Sequence, residues 1–443
     1  MHYVTLWLFL GLAAVAGSAP VLTLPRRSLQ LENGMNVHLV KYPSAGVVAF
    51  QLAVRVGSRD EVEKGKTGFA HFFEHLMFRG TKKISGKEFG QLFARSGAEN
   101  NAWTWFDFTV YHGVSGAQAL PALLAAESDR FANLYFDEKL FKDEAGAVLG
   151  EYNKSASDPE FFVEEKLLMT AFRTHPYAHT TMGFKEDILA FPRRYEDVWP
   201  FFRRYYRPDN VSLVLVGDID FASAEALARL HFGGWKAQPE EPVRIPEEPL
   251  QEGPRQEEIS WPKQAQTRIA VAYKVPPFGT RDTDFAALRL LAETGFSKIS
   301  DFQKTFVFRH QWVDEVEASP LEMRDPGLWT VSARLSEQGR AHEAEVVRGI
   351  LDVVKGFREK DVPKKTLGLA RRRFRNAALA RWFEGPATLA GRISWYTSFE
   401  GDLDVINRIF DRIDAVSPAE IRTFANRYLT DARRTSVILR GTP

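Results

Sequence analysis

Apolar and polar positions follow two different periods along the first half of the chain. Short runs rich in β-branched and aromatic residues indicate strands, and longer runs with a 3.6-residue period indicate helices. The strand patterns cover 37–40, 47–56, 104–114 and 211–216, and the helical patterns cover 68–78, 87–96, 117–134 and 137–154. This alternation predicts a mixed α/β or α+β fold with long helices packed on a sheet.

Both halves of the chain end with the same pattern. An aromatic helix end, a polar turn and a short β-branched strand stopped by glycine occur at 202–217 and again at 424–441. Between the halves, residues 236–258 contain five prolines and many acids, which is typical of a semi-rigid linker. We therefore predict two homologous α/β domains, residues 20–235 and 259–443, joined by this linker.

The N-terminal residues carry an apolar run at 4–16. The run is short for a membrane span and has the length of a signal-peptide core, and small residues at 14–16 and 17–19 offer cleavage sites. We predict that residues 1–19 form a signal peptide and that the protein is exported, to the periplasm. An uncleaved, lipid-facing anchor is the alternative. We expect no stable membrane span in the mature chain.

Charge and cysteine content limit the possible functions. The formal net charge is +1, so no broad electrostatic field marks the chain as a nucleic-acid binder. The chain has no cysteine, which excludes disulfides, thiolate metal sites and cysteine nucleophiles. Any metal ion must therefore be held by His, Asp or Glu.

Residues 67–79, TGFAHFFEHLMFR, are apolar at nearly every position and yet contain His71, Glu74 and His75. On a helical wheel the apolar side chains cover most of the circumference, which is typical of a buried helix. The three ionisable side chains fall within about 100° of one another. Because burying an ionised carboxylate without compensation is very costly, this convergence indicates a bound divalent cation.

The spacing of these residues fits zinc. Histidines at positions i and i+4 can bind one zinc ion from a single helix face, and Glu74 can then reach a water on the metal. HxxEH is the inverted form of the HExxH zinc motif. The alternative is a structural histidine pair whose hydrogen bonds are satisfied within the core.

A catalytic zinc ion needs a third protein ligand. In the helical segment 136–154, Glu144 and Glu151 lie seven residues apart, which is two turns, and both are expected to point to the apolar side of the helix. The alternative is two surface glutamates on a fraying helix. Two helices that direct carboxylates and imidazoles at one core make a metal site the stronger interpretation.

Several sequence features together carry a family resemblance. HFFEH at 71–75 is followed by glutamates at 144 and 151, and the chain also has LENGMNV at 31–37 and Gly-Thr at 80–81. With the linker and the duplicated halves, this pattern resembles the inverzincin metallopeptidases of the pitrilysin family. The resemblance covers most of the mature chain.

The resemblance implies two homologous domains, each with a mostly antiparallel sheet packed with helices, that close like a clamshell on an unfolded peptide. It implies one Zn²⁺ in the first domain, with His71, His75 and Glu151 as ligands, and no metal site in the second domain. Glu74 would be the general base and later the proton donor to the leaving amine. Glu144 would orient a ligand or buffer the charge of the site. The implied activity is zinc-dependent hydrolysis of peptide bonds in short or unfolded peptides.

The resemblance also implies a substrate-binding edge strand, here Asn101, Ala102, Trp103 and Thr104. An extended peptide can add to such an edge through main-chain hydrogen bonds. Trp103 is expected either to line a pocket for large apolar side chains or to pack, with Trp105, on opposite faces of the sheet.

One region departs from the family pattern. Active members carry an arginine followed seven residues later by a tyrosine, and the matching positions here are Phe306 and Val313, with Arg309 out of register. We predict that this chain is the zinc-bearing subunit of a hetero-oligomer whose second subunit supplies the missing pair, or that it forms a homodimer. A catalytically weak peptide-binding or scaffold subunit is the alternative function.

Overall fold

The computed structural model describes residues 20–236, 241 and 243–442. The predicted signal peptide, residues 1–19, lies outside the described residues. Within the described ranges, none of the helices combines the length and the apolar content that a membrane crossing requires.

Eleven strands form two sheets in the described part of the chain. The strands are β1 Arg26–Gln30, β2 Asn36–Lys41, β3 Val47–Val54, β4 Glu99–Thr104, β5 Thr109–Gly116, β6 Val211–Gly217, β7 Arg255–Gln264, β8 Arg268–Val275, β9 Val313–Pro320, β10 Gly327–Leu335 and β11 Arg434–Thr442. The first sheet has the order β1-β2-β6-β3-β5-β4 and the second has the order β7-β11-β8-β10-β9.

The two sheets share one topology. If β1 is set aside, the strand orders correspond one to one, and the parallel pair β2–β6 matches the parallel pair β7–β11. All other neighbours are antiparallel in both sheets. This repetition of order and direction is the structural counterpart of the similar sequence patterns that end the two halves.

Fourteen α-helices cover the sheets within the described residues. They are α1 Phe69–Leu76, α2 Gly86–Arg95, α3 Leu120–Asn133, α4 Glu138–Ser155, α5 Pro159–Ala171, α6 Lys185–Ala190, α7 Val198–Tyr205, α8 Phe221–Phe232, α9 Asp284–Phe296, α10 Glu343–Glu359, α11 Lys364–Trp382, α12 Pro386–Glu400, α13 Val405–Ala415 and α14 Pro418–Tyr428. The predicted mixed α/β class with mostly antiparallel sheets is confirmed.

Most predicted elements differ from the observed ones by a few residues at their ends, and two differences are larger. The single strand expected at 104–114 is two strands, because residues 105–108 form a turn between β4 and β5. Strand β7 begins at Arg255, inside the predicted linker, because Ile259 and Trp261 alternate with polar residues and turn one side of the strand to the core.

One helix from each half of the chain packs on the sheet of the other half. Helix α12 packs on β3 and β6 of the first sheet, where Ile393 and Leu389 join the buried cluster around Val214. Helix α5 packs on β7, β8 and β11 of the second sheet, where Leu168 joins the buried cluster around Leu439. Because each fully buried aliphatic side chain contributes about 1.5–3 kcal/mol, these exchanged helices hold the halves firmly together.

A buried ion pair lies beneath the end of α1. Arg130 donates to both carboxylate oxygens of Glu127, at 2.7 and 3.0 Å, and both side chains are buried. The Arg130 guanidinium also lies 4.8, 4.7 and 4.8 Å from the ring centres of Phe78, Phe89 and Tyr111. Cation–π contacts of this kind compensate part of the cost of burying the charge. Arg130 therefore ties α2 and β5 to the segment that follows α1.

Replacing Arg130→Met is expected to lower the free energy of unfolding by about 3–5 kcal/mol, because Glu127 is left as an uncompensated buried carboxylate. Urea denaturation followed by far-UV circular dichroism measures the change. The double variant Arg130→Met/Glu127→Gln should recover a large part of the loss, since it removes both charges. A loss below about 1 kcal/mol in the single variant would contradict the assignment.

Candidate metal centre

The start of helix α1 is fixed by two features. Gly68 precedes the helix with a φ of 83°, and a Cβ at this position would lie 2.1 Å from the carbonyl oxygen of Met182, so only glycine fits. The buried carboxylate of Glu61 accepts hydrogen bonds from the backbone N–H groups of Gly68 and Ala70, at 2.6 Å each. These bonds satisfy donors that a helix N-terminus leaves without an intrahelical partner.

His71 and His75 lie on one face of α1, with ring centres 4.8 Å apart. Glu151 reaches them from helix α4: its Oε2 lies 3.3 Å from Nε2 of His75 and 3.9 Å from Nε2 of His71. The three side chains each offer one ligand atom, and these atoms lie within 4.8 Å of one another. Two helices separated by more than sixty residues thus bring the predicted ligand residues together.

The imidazole of His71 is held in its neutral form. Burial, followed by the charge of His75, lowers the pKa of His71 to about 3. Its Nδ1 is buried and has no hydrogen-bond partner among the described residues. A neutral imidazole is the form that coordinates a metal, and Nε2 of His71 is the ring nitrogen that faces Glu151, at 3.9 Å. The environment of His71 therefore fits a metal ligand.

His75 is oriented by the carboxylate of Glu144. Oε1 of Glu144 lies 2.8 Å from Nδ1 of His75, and its Oε2 lies 2.7 Å from Nη2 of Arg79. Burial alone would lower the pKa of His75, but the hydrogen bond to Glu144 and the surrounding carboxylates raise it above its usual value. With Nδ1 bonded to Glu144, Nε2 of His75 faces Glu151, which is the arrangement of a histidine metal ligand with a supporting carboxylate.

Glu74 lies on the inner side of α1 beside the edge strand. Its Oε2 accepts a hydrogen bond of 2.6 Å from Oγ1 of Thr104, the last residue of β4. Burial raises the pKa of Glu74 to about 7, and the Thr104 hydrogen bond opposes this rise. A carboxyl group with a pKa near neutrality can both accept and donate a proton at physiological pH.

Glu151 differs from its prediction in one respect. Glu144 is buried, as expected, whereas the Glu151 side chain is 45% exposed, so the expectation that both point to the apolar side is wrong for Glu151. Two helical turns move a side chain about 10 Å along the axis. Glu151 therefore lies at the rim of the site, where the centre opens to solvent and a substrate can approach.

Strand β4 is one of the two edge strands of the first sheet and lies next to α1. Ala102 and Thr104 face α1, while Trp103 contacts Phe108 and Trp395, with ring centres 5.6 and 5.8 Å apart. Trp105 also packs on Trp395, at 5.2 Å. The expectation that Trp103 and Trp105 occupy opposite faces is wrong, because both indole rings pack on Trp395.

The two positions of the missing arginine–tyrosine pair are apolar and packed. Val313 begins β9 and is 2% exposed in the core of the second half. Phe306 lies in a π-helical segment, Gln303–Arg309, and packs on Phe302 and Trp312. Neither side chain offers a polar group to a substrate.

The residues that sequence reasoning missed support the predicted ones. Arg79 holds Glu144 from the 3₁₀ turn Met77–Arg79 that follows α1, four residues after His75. Glu61 holds the start of α1 from a loop, and no local pattern in the sequence indicates this.

Two sequence profiles of one peptidase family match the chain. The profile described as insulinase, peptidase family M16, matches residues 36–185, and the profile described as peptidase M16 inactive domain matches residues 194–374. The chain therefore belongs to peptidase family M16, and the predicted pitrilysin-type resemblance is confirmed.

Named relatives of the chain are proteases. Zinc protease PqqE of Helicobacter pylori is 27% identical over 425 residues, which cover 93% of this chain and 92% of that protein. The mitochondrial-processing peptidase subunit beta of Lentinula edodes is 30% identical over 202 residues, which cover 46% of this chain and 43% of that subunit.

Solved structures share the fold over nearly the whole chain. A protease from Helicobacter pylori superimposes with a TM-score of 0.85 at 26% identity and covers 94% of this chain and 100% of that chain. The periplasmic protease PqqL from Escherichia coli superimposes with a TM-score of 0.76 at 18% identity, over 96% of this chain and 48% of that chain. The latter likeness concerns the fold alone. The prediction of two homologous domains of mixed α/β structure is confirmed.

Proposed function

We propose that this chain is a zinc-dependent peptidase that hydrolyses peptide bonds in short or unfolded peptides. His71, His75 and Glu151 would hold one Zn²⁺, and Glu74 would be the general base. The single observation that carries this proposal is the convergence of three ligand atoms from α1 and α4 to within 4.8 Å of one another. Zinc content and peptide cleavage, measured on the purified chain before and after Glu74→Gln, test it.

The donor set fits zinc and leaves room for a substrate. Two imidazoles and one carboxylate are the ligands of many catalytic zinc sites, which keep a fourth position open. When bound, zinc acts as a Lewis acid that polarises the substrate carbonyl and makes an attacking water more acidic. The exposed rim at Glu151 supplies the open side.

Glu74 would move the proton in this reaction. It is adjacent to His75 in sequence and is not among the clustered ligand residues, so its carboxylate is free to accept a proton from the attacking water. Its pKa of about 7 also suits it to return that proton to the leaving amine. Thr104, at 2.6 Å, keeps one of its oxygens oriented.

Strand β4 would bind the substrate as an added strand. It is hydrogen-bonded to β5 on one side, and its other edge carries main-chain groups available to an extended peptide. The segment involved is Asn101, Ala102, Trp103 and Thr104. Because Thr104 also contacts Glu74, a peptide on this edge would lie beside the base and the metal ligands.

A partner chain would complete the site. Phe306 and Val313 stand where active relatives carry polar groups, and both are packed in the second half. The exchange of α5 and α12 holds the two halves of one chain together, so closure around a peptide would take place against another chain. We propose a second subunit, or a second copy, as that partner. The similarity to a mitochondrial-processing peptidase subunit beta supports this proposal.

The purified chain alone is expected to cleave unstructured peptides weakly, because it lacks the polar pair near the substrate. A fluorogenic peptide assay across a range of protein concentrations measures this. A rate per chain that rises with concentration would indicate a homodimer, and co-purification from the native source would identify a different partner. A high rate that is independent of concentration, from a chain that sedimentation finds monomeric, would contradict the partner proposal.

A catalytically silent, peptide-binding subunit is the second candidate function. The departures at Phe306 and Val313 favour it, whereas the retention of the whole HxxEH motif and of both α4 glutamates favours the enzyme.

Export to the periplasm is a further proposal. It is supported by the apolar N-terminal run at 4–16.

A further inference from the structure

A large cavity lies between the two halves of the chain, and none of its lining residues belongs to the metal centre. Its volume is about 970 Å³, and its walls come from the first half, the linker and the second half. Binding cavities for small molecules typically measure roughly 300–1,000 Å³, so this one can hold a ligand of nucleotide size. Nothing in the proposed peptidase mechanism uses it.

Arginine dominates the polar lining of this cavity. Arg55 and Arg207 come from the first half, and Arg324 and Arg433 come from the second half. Burial, followed by the charge of Arg324, lowers the pKa of Arg55, while the carboxylate of Asp209 partly opposes this shift and Arg207 adds to it. Guanidinium groups from the two halves are therefore close enough to repel one another.

Three of these guanidinium groups lack a carboxylate partner within the described residues. Arg55 donates to the backbone oxygen of Asp209, at 2.7 Å, and Arg433 lies over the ring of Tyr428. Arg324 makes no side-chain ion pair in the part of the chain that the structure describes. Asp209 acts on Arg55 and Asp60 acts on Arg324 without forming an ion pair with it, so the repulsion between the two guanidinium groups is only partly offset. An anion bound between them would offset it further.

The acids of the cavity are already engaged or face outwards. Asp325 accepts from Arg59, at 2.5 Å, and lies 3.0 Å from His175. Glu248 pairs with Lys274, at 2.7 Å, and also accepts from backbone N–H groups. Asp60 accepts from the backbone N–H of Gly57 and lies 3.6 Å from Arg59, and the exposed linker residues Glu241 and Glu247 complete the acidic lining.

We propose that this cavity binds a small phosphate-bearing anion, with Arg55 and Arg324 gripping it from the two halves. Guanidinium forks match phosphate oxygens with paired hydrogen bonds. A tetrahedral phosphate presents acceptors in several directions, whereas a planar carboxylate suits one fork, so arginines arriving from different walls favour phosphate. Phe172, Ile245 and Pro326 add an apolar wall that suits an organic group attached to the phosphate.

A ligand held by both halves would stabilise the folded chain. Binding to the native state alone raises the unfolding temperature in a saturable way. The experiment is thermal unfolding of the full chain, with zinc at one equivalent, titrated with inorganic phosphate, adenosine 5′-monophosphate or sulfate at constant ionic strength. We expect a saturable rise with a phosphate-bearing probe. If inorganic phosphate and adenosine 5′-monophosphate raise the unfolding temperature equally, the site recognises the phosphate group alone. If the nucleotide raises it more, the apolar wall also contributes to binding.

Two variants make the assignment specific to the cavity. Arg324→Gln is expected to weaken binding roughly tenfold or more, and Arg55→Gln/Arg324→Gln further, because charge-assisted hydrogen bonds are lost. Their unfolding temperatures without ligand should equal or exceed that of the natural chain, since the repulsion is relieved. Arg281→Gln, an exposed arginine outside the cavity, is the matched control and should leave the titration unchanged.

The absence of a saturable rise with both phosphate-bearing probes would overturn the proposal. An identical rise in the double variant would overturn it as well, because the anion would then bind elsewhere. Neither outcome depends on peptide cleavage, so the anion site can fail while the proposed peptidase function stands.

Discussion

Glu74→Gln is expected to abolish peptide cleavage while leaving one zinc ion per chain. Glutamine has the shape of glutamate and can accept the hydrogen bond from Thr104, but it cannot take up or return a proton. Loss of a general base typically lowers turnover by a factor of about 10²–10⁴. Steady-state cleavage of a fluorogenic peptide gives the turnover, and inductively coupled plasma mass spectrometry gives the zinc content.

Glu138→Gln is the matched control for this experiment. Glu138 begins α4 and forms an exposed pair with Lys142, so the same chemical change at that position should alter neither zinc content nor turnover. Normal cleavage by the Glu74→Gln variant would end the proposed mechanism. Loss of zinc together with activity would mean that Glu74 acts as a ligand instead.

Glu151→Gln is expected to cause the largest loss of zinc affinity on helix α4. Structural zinc sites with four ligands provide about 10–16 kcal/mol of binding free energy, or about 3–4 kcal/mol for each ligand. Removing one anionic ligand should therefore weaken zinc binding by a factor of about 10²–10³. Competition with a chromophoric chelator at constant pH measures the affinity.

The Glu144→Gln variant tests whether Glu144 is a metal ligand or a supporting group on helix α4. Glu144 contacts Nδ1 of His75 rather than the clustered ligand atoms, and loss of such a supporting carboxylate typically costs 10–100-fold in metal affinity. The loss should thus be smaller than for Glu151→Gln. A larger loss with Glu144→Gln would exchange the proposed roles of the two glutamates.

Local sequence patterns were sufficient for the helices that carry the metal centre. The 3.6-residue period placed His71 and His75 on one face of α1 and located α4 within one residue of its observed start and end. Local sequence patterns failed to predict the turn at 105–108, because Trp105, Phe106 and Phe108 are as apolar and aromatic as strand residues. Their burial between the halves explains the pattern without a continuous strand.

Residues that act across the fold escaped sequence reasoning in a different way. Glu61 was not predicted at all, and Thr104 was predicted as a substrate-binding residue but not as a hydrogen-bond partner of Glu74. Both bonds to α1 exist because distant segments meet there. The arginines of the cavity between the halves are likewise scattered through the chain, so no single window of sequence contains them.

The sequence by itself determined the chemistry that is available: no thiols, two histidines one helical turn apart with a glutamate between them, and carboxylates two turns apart on a later helix. It determined these features because the helical period fixes where each side chain points relative to its own axis. Only the tertiary structure decided that α4 reaches α1, that Glu151 lies at an open rim, and that α5 and α12 exchange between the halves. The distance between residues far apart in sequence depends on long-range burial summed over the whole core, which no local pattern contains.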